Sequence, residues 1–177
     1  DGGAITTNDP DLARMATRSR YNGEDRETGE YHCHGQTALL DNVQAAVLDV
    51  KLRHLPAWIA HRRRISELYR QGLSGIRELR LPHFDQTRHH DIYQNYVIRT
   101  DVRDRLRAYL KVQGIETLVH WAKPMWEHRG LGLATPSVPE TAALCREVLS
   151  LPMSAETTDD HVTITVACLQ SFFSKRP

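Results

Sequence analysis

The stretch from Leu40 to Leu73, LDNVQAAVLDVKLRHLPAWIAHRRRISELYRQGL, constrains the fold more than any other part of the chain. Leu40, Val43, Val47 and Val50 recur three or four residues apart, so they share one face of a helix. Pro56 interrupts the pattern. A proline lacks the N–H that an inner turn needs but fits a first turn, so the sequence predicts one helix ending near His54 and a second opening at Pro56. Trp58, Ile65, Leu68 and Leu73 continue the apolar stripe, Arg62, Arg63, Arg64 and Glu67 take the opposite face, and Gly72 or Gly75 offers a left-handed stop. Two long helices joined by a proline, with different compositions on either side, form a connector between two folding units.

A chain of 177 residues accommodates one large domain or two small ones around a real core. With 40% hydrophobic and 25% charged residues, its composition is that of a globular protein rather than a disordered one. A net charge of +1 implies no general attraction to nucleic acid or to an anionic membrane. No apolar run approaches the roughly 18 residues of a membrane span. No basic segment leads into an apolar one at the amino end, so nothing there marks export, although the abrupt opening on Asp1 to Thr7 looks like the middle of a domain and an upstream segment could carry such a signal. Cys33, Cys145 and Cys168 are odd in number and form no C-x-x-C pair, which favours reduced thiols and a cytoplasmic setting.

Along the chain, Ala4 to Thr7 reads as a short strand before a turn, and Asp9 caps a helix with Pro10 at its first position, carrying Leu12, Met15 and Ala16. Residues 21–36 are polar, contain three glycines and lack periodicity, as a functional or mobile loop does. Leu79 to Leu81 reads as a strand and Pro82 to Asp91 as a polar connector rich in histidine. A strand over Ile92 to Arg99, a helix capped by Thr100 or Asp101 and carrying Val102, Leu106, Tyr109 and Leu110, a stop at Gly114 and a strand over Ile115 to Val119 make a βαβ-like unit of an α/β or α+β domain. An irregular segment over residues 121–137 precedes a helix from Pro139 to about Leu149, which Ser150 to Met153 breaks. Val162 to Val166 alternates like a strand, yet Thr158, Asp159 and Asp160 make a good helix start and Val162, Val166, Leu169 and Phe173 share a helical face, so a final helix is expected.

Few residues carry a chemical signal. In Tyr31-His32-Cys33-His34 the two imidazoles and the thiol are suitable metal ligands, but a structural zinc site uses four and usually wider spacing, so hydrogen-bonding loop histidines are the plainer reading. His89-His90 reads as solvated, and the arginine run on the long helix reads as a charged outer face, without the aromatic interleaving that accompanies nucleic-acid binding. His120-Trp121 closes an apolar strand, where ligands of α/β domains commonly sit. An imidazole with aromatic walls there can orient a polar substrate, and a half-buried strand-end histidine explains the same residues. No Gly-rich phosphate loop, G-x-S-x-G elbow or metalloprotease motif is present.

Five separated segments together resemble the DegT/StrS family of sugar aminotransferases: Asp1-Gly2-Gly3-Ala4-Ile5-Thr6-Thr7-Asn8-Asp9; Leu40 to Ala46 running into Lys51-Leu52; Trp58 to Tyr69; Gly114 to Thr117 ending in His120-Trp121; and Val148 to Met153. The order and spacing agree across nearly the whole chain. The resemblance implies the carboxyl-terminal part of an aspartate-aminotransferase-like, fold type I α/β architecture. Residues 1–38 would end the large cofactor-binding domain and carry an active-site loop, 39–75 would be the connecting helices, and 76–177 the small α/β domain. It implies pyridoxal 5′-phosphate as cofactor, an amino-acid donor such as glutamate, a nucleotide-linked keto-sugar as acceptor, and a homodimer. The Schiff-base lysine of relatives would precede Asp1, so Lys51, Lys111, Lys123 and Lys175 do not match it and no catalytic residue is assigned in this chain. In relatives a G-x-N-x-R loop reaches into the neighbouring subunit to hold the cofactor phosphate. Here it reads Gly35-Gln36-Thr37-Ala38-Leu39, which leaves Gln36 and Thr37 as the cofactor-binding residues. Leu39 cannot donate, and His34 or Arg26 could take over that contact. The relatives' H-Y-P becomes His120-Trp121-Ala122, so Tyr31, His34, His120 and Trp121 are the expected substrate-binding residues. The rival expectations are a non-catalytic fragment or pseudo-enzyme acting through dimerisation, and a small metal- or phosphate-binding module built on the loop from His32 to Gln36.

Overall fold

The computed structural model describes residues 3–83 and 89–174. Asp1 and Gly2 of the first motif, residues 84–88 of the expected histidine-rich connector, and Lys175 lie outside the described residues. The chain divides into two units, Asp1–Leu55 and Pro56–Pro177.

In the first unit, Ala4 to Thr7 is unpaired backbone rather than the expected strand. Its β-branched side chains suit a sheet, but a strand also needs a neighbour to take its N–H and C=O groups, and none of the described residues does. Helix α1 spans Pro10–Arg20 as expected, with the Asp9 carboxylate accepting from the backbone N–H groups of Asp11 and Leu12 at 2.9 and 3.2 Å. Residues 21–37 fold back on the end of α1, pinned by isolated bridges between Tyr21 and Thr37 and between Glu24 and Tyr31.

Helix α2 spans Asn42–Leu73 without a break and contains Pro56. The expectation of two helices joined at the proline is therefore corrected. Pro56 deletes one hydrogen bond, to the carbonyl of Leu52, whose surroundings are open to solvent, and the Ala-, Leu- and Arg-rich turns on either side sustain the helix. On the first half of α2 the apolar stripe finds no cover among the described residues: Leu40, Val43, Val47 and Val50 stay exposed.

The second unit holds the core. Ile65, Tyr69 and Leu73 of α2 pack with Ile98, Leu106, Leu110, Leu149, Val162, Leu169 and Phe173. Strands β1 (Tyr96–Arg99) and β2 (Val148–Leu151) pair antiparallel, Tyr96 opposite Leu151 and Arg99 opposite Val148. Bridges from Arg80 to Arg99 and from Leu118 to Ser150 extend the sheet by one position on each edge. Helix α3 (Arg103–Val112) packs on β2 and on α5 (Asp159–Ser174), and α4 (Pro139–Glu147) packs on β1.

Several expected elements are shorter than the sequence suggests. β1 begins at Tyr96 rather than Ile92 because Tyr93, held by its N–H on the Asp91 carboxylate at 2.7 Å, takes a left-handed φ of 49° that no strand continues. Among the described residues only Leu118 of the expected Ile115–Val119 strand pairs, since the Ile115 N–H is spent on the Leu110 carbonyl at the end of α3. Likewise, among the described residues, Arg80 alone pairs in the expected strand over Leu79 to Leu81. α3 starts at Arg103, with Val102 at the N-cap and no side-chain cap, so the capping role given to Thr100 or Asp101 is not used. Helix α4 ends at Glu147 and the chain passes straight into β2, where the sequence predicts a helix running to about Leu149 and then a break. Arg103, 8% exposed, holds that junction: its Nη1 donates to the carbonyls of Cys145 and Val148, both at 3.3 Å, while the Thr100 N–H binds the Glu147 carbonyl. The strand–helix–strand reading survives in modified form, because β2 lies between the two parallel segments.

Candidate functional site

In the first unit, the turn after α1 is set by Asn22 and Gly23, both left-handed with φ of 62° and 89°. It returns residues 32–38 to the helix end, where the Gln36 N–H binds the Ser19 carbonyl at 2.9 Å, the Ala38 N–H binds the Arg20 carbonyl at 3.0 Å and the His32 N–H binds the Gly23 carbonyl at 2.9 Å. The approach is close enough to exclude side chains. A Cβ on Gly35 would lie 2.4 Å from the Gly23 nitrogen and 2.6 Å from the Ser19 oxygen, and one on Gly23 would meet the Cys33 carbonyl. Across the loop, Arg18 holds Asp25 through Nη2 at 2.5 Å and Nε at 3.1 Å, and that guanidinium, with the Glu27 N–H, keeps the Asp25 carboxyl below its ordinary range.

This fold-back borders a hollow of about 1230 Å³ between the segment from Gly3 to Thr7, the inner face of α1 and the residues from His34 to Ala38. His34 and Gln36 line it together, with Arg20, Thr17 and Ser19. Thr37 adjoins it and donates its hydroxyl to the Asn22 Oδ1 at 2.9 Å. Tyr31 bridges to Glu24, is 69% exposed and does not belong to the lining. Arg26 donates to the Tyr21 hydroxyl at 3.0 Å and lies over that ring. Cys33 faces the Ser19 hydroxyl at 3.8 Å, and among the described residues no group of three or more His, Cys, Asp and Glu side chains could hold a metal ion, which leaves the metal-module expectation without a ligand set.

In the second unit, His120 and Trp121 follow the Leu118 bridge by two and three residues and both are exposed, Trp121 at 72%. They are strand-end residues, as expected, though His120 is not half-buried. Neither lines the cavity of about 610 Å³ between Gly114–Leu118, Ser150–Ser154 and the start of α5.

Sequence reasoning missed Asn22, Ser19 and Arg20. The Asn22-Gly23 dipeptide was the available signal, being a left-handed turn former, whereas Ser19 and Arg20 contribute through position at a helix end that only the return of the loop reveals.

The sequence matches the DegT/DnrJ/EryC1/StrS aminotransferase family over residues 1–170. It is 34% identical over 156 residues to a dTDP-3-amino-3,4,6-trideoxy-alpha-D-glucose transaminase of Streptomyces venezuelae, covering 86% of this chain and 41% of the relative. It is 31% identical over 168 residues to a UDP-2-acetamido-2-deoxy-3-oxo-D-glucuronate aminotransferase of Pseudomonas aeruginosa, covering 95% of this chain and 45% of the relative. The crystal structure of DesV from S. venezuelae superposes with a TM-score of 0.89 at 29% identity, covering 97% of this chain and 46% of that one. The chain thus spans less than half the length of these relatives, and its architecture is the carboxyl-terminal part of the sugar-aminotransferase fold.

Proposed function

Because this chain belongs to the DegT/DnrJ/EryC1/StrS aminotransferase family, we propose that the protein it comes from moves an amino group from an amino acid, glutamate in the first instance, to a keto-sugar carried on a nucleotide. One observation carries this reading. Two relatives from different bacteria, each named as an aminotransferase of a nucleotide sugar, match the chain over 86% and 95% of its length. The cofactor is pyridoxal 5′-phosphate, whose ring, when bound, supplies the electron sink for the transfer.

The donor set of the first unit suits the phosphate of that group. Gln36 brings a side-chain amide to the hollow, and Arg20, Ser19 and Thr17 line the same space. Gln36 and Thr37 hold the phosphate; the Thr37 hydroxyl, which donates to the Asn22 Oδ1 at 2.9 Å, turns its single hydrogen to the anion when the phosphate is bound. Leu39, at the position where relatives of this family carry an arginine, leaves the charge to other residues. Tyr31 and His34 contact substrate from the same loop. In the second unit, His120 orients a polar group of the sugar through its imidazole, and Trp121 offers an apolar face to the ring. The domain boundaries implied by the family, 1–38, 39–75 and 76–177, are part of the proposal. So is a homodimer in which the loop serves the opposite active site, supported by the uncovered apolar stripe from Leu40 to Val50. The three free thiols support a cytoplasmic setting.

The test uses the full-length protein. An absorbance band of the bound cofactor that changes on adding glutamate and returns on adding a nucleotide-linked keto-sugar is the expected result. A protein that dimerises but takes up no cofactor would overturn the assignment in favour of the non-catalytic reading.

A further inference from the structure

The cavity of about 610 Å³ belongs wholly to the second unit, and its size suits a small organic molecule. The two sheet registers place its walls. Tyr96 lies opposite Leu151 and Ser150 opposite Leu118, so the next positions put Asn95 on one side of Pro152 and Glu116 on the other. Side chains alternate between the faces of a sheet, so Asn95, Ser150, Pro152, Glu116 and Leu118 share one face, and all of them line the cavity. With neighbouring strands about 4.8 Å apart, Asn95 and Glu116 stand roughly 10 Å from each other at the backbone, over a short apolar proline. The polar groups here are unspent. Ser150 is 5% exposed, yet its hydroxyl bonds no described residue, although a buried hydroxyl ordinarily finds a partner. The Glu116 carboxylate and the Asn95 amide likewise form no ion pair or side-chain hydrogen bond among the described residues. Leu118 and Ile164, 60% and 55% exposed, border the same space together with the buried Ile115 and Leu151.

We infer that this cavity binds a small organic cation, a protonated amine on an apolar body. The charge pattern selects that class. Among the described residues no lysine or arginine lines the cavity, and Glu116 is its only carboxylate. His161, the other titratable group of the lining, accepts the Thr158 N–H on Nδ1 at 3.3 Å, as an imidazole without a proton there does. A phosphate or a carboxylate would therefore meet like charge and no counter-ion, whereas an ammonium meets its opposite. An ammonium carries three N–H donors, and the Glu116 carboxylate, the Asn95 carbonyl and the Ser150 hydroxyl are acceptors set around Pro152 on one face. The carbon frame of the ligand lies against Leu118 and Ile164 and takes their apolar surface out of water. No residue of this site belongs to the loop after α1 or to the pair His120 and Trp121, so the inference does not rest on the proposed function.

The test titrates full-length protein, carbon-13 labelled at isoleucine and methionine methyl groups, with three probes that share one ring: cyclohexylamine, cyclohexanol and cyclohexanecarboxylate. Cyclohexylamine should move the methyl signals of Ile115, Met153 and Ile164 saturably, while those of Ile65 and Ile98 in the core stay fixed. Its affinity should exceed that of the alcohol by about fivefold and that of the carboxylate by about tenfold or more, the effect of one exposed ion pair and then of its reversal. Glu116→Gln should abolish the advantage of the amine over the alcohol and leave the affinity for the alcohol within about twofold. Because Glu116 is exposed, the substitution spares the fold, and unchanged Ile65 and Ile98 signals verify this. Cavity methyl signals that do not respond to the amine, as when another part of the full-length chain fills the space, overturn the inference. So does an amine bound no more tightly than the carboxylate, or an amine affinity that Glu116→Gln leaves unaltered. None of these readouts involves turnover or the cofactor, so a protein that does not transaminate can still take the amine, and a transaminating protein can still refuse it.

Discussion

Gly35→Ala tests whether the fold-back that builds the first-unit site depends on backbone contact. The added methyl would sit 2.4 Å from the Gly23 nitrogen and 2.6 Å from both the Asn22 carbonyl carbon and the Ser19 oxygen. All three are main-chain atoms, so no side chain can swing aside, and residues 35–38 must move away from α1. That movement stretches three hydrogen bonds, Gln36 N–H to Ser19, Ala38 N–H to Arg20 and Asn22 N–H to Gln36. At about 1 kcal/mol each, their loss removes roughly 3 kcal/mol of local stability. Hydrogen exchange on the full-length protein reads this directly. Three kcal/mol corresponds to roughly a hundredfold faster opening at the Gln36 and Ala38 amides, or to the limit of complete opening if the loop holds less than that. Amides of β1 and α3 in the second unit should not change. Gly130→Ala, where a new Cβ meets nothing within 4 Å, is the matched control. Exchange at Gln36 and Ala38 within about threefold of the unaltered protein would refute the reasoning, because the loop would then tolerate a side chain where none has room.

Further outcomes follow from other contacts. Gly72→Ala places a methyl 2.6 Å from Cγ1 of Val166, so thermal unfolding should show a loss of about 1–3 kcal/mol, largely restored by adding Val166→Ala. Burial pushes the Tyr69 phenol up to about 12 from an ordinary 10.0. The folded state thus holds a proton that the unfolded state releases, and stability should fall as pH rises through that interval; Tyr69→Phe removes this tyrosine's share of the alkaline loss but forfeits the hydrogen bond to the Pro152 carbonyl at 3.0 Å, about 1 kcal/mol at neutral pH. Asp25 behaves oppositely, its carboxyl lowered chiefly by Arg18, so its contribution is present above the ordinary value of 3.8 and fades as pH drops through the lowered one; carbon-13 NMR titration of Asp25 should show the low midpoint, and Arg18→Met should raise it. His120→Ala should reduce turnover with the keto-sugar by about tenfold or more while shifting the melting temperature little, since the side chain is exposed; equal damage to both would make it a packing residue. Thr37→Val should weaken cofactor affinity, measured by fluorescence titration, and an unchanged value would remove Thr37 from the phosphate site.

What could be read from the sequence was whatever depends on neighbours a few residues away. The start of α5 at Thr158 and Asp159 is a local capping problem, with the His161 N–H on the Thr158 hydroxyl at 3.3 Å, and helical spacing outweighed the alternation over Val162 to Val166. The Asp9-Pro10 start of α1 and the stop at Gly114, with φ of 78°, are local in the same sense. β2 was hidden because Leu149-Ser150-Leu151 becomes a strand only when Tyr96 to Arg99, some fifty residues earlier, lies beside it. Continuity of α2 through Pro56 escaped notice because one lost hydrogen bond is weighed against 32 residues of helix rather than against its own turn. At the candidate site, Gln36, Thr37 and His34 were legible through the family motif. The stacking of both Arg20 and Arg26 on Tyr21 was not, since it depends on the loop's return around the left-handed turn at Asn22 and Gly23.

The uncovered side of α2 also governs handling of the polypeptide. Val43, Val47 and Val50 on one face of its first turns, Leu48, Leu52 and Leu55 on the other, and Leu39 and Leu40 just ahead of it all present apolar side chains to water. Expressed by itself, such a segment self-associates as its concentration rises, and it should bind a reporter dye such as ANS until something greasy is laid along it.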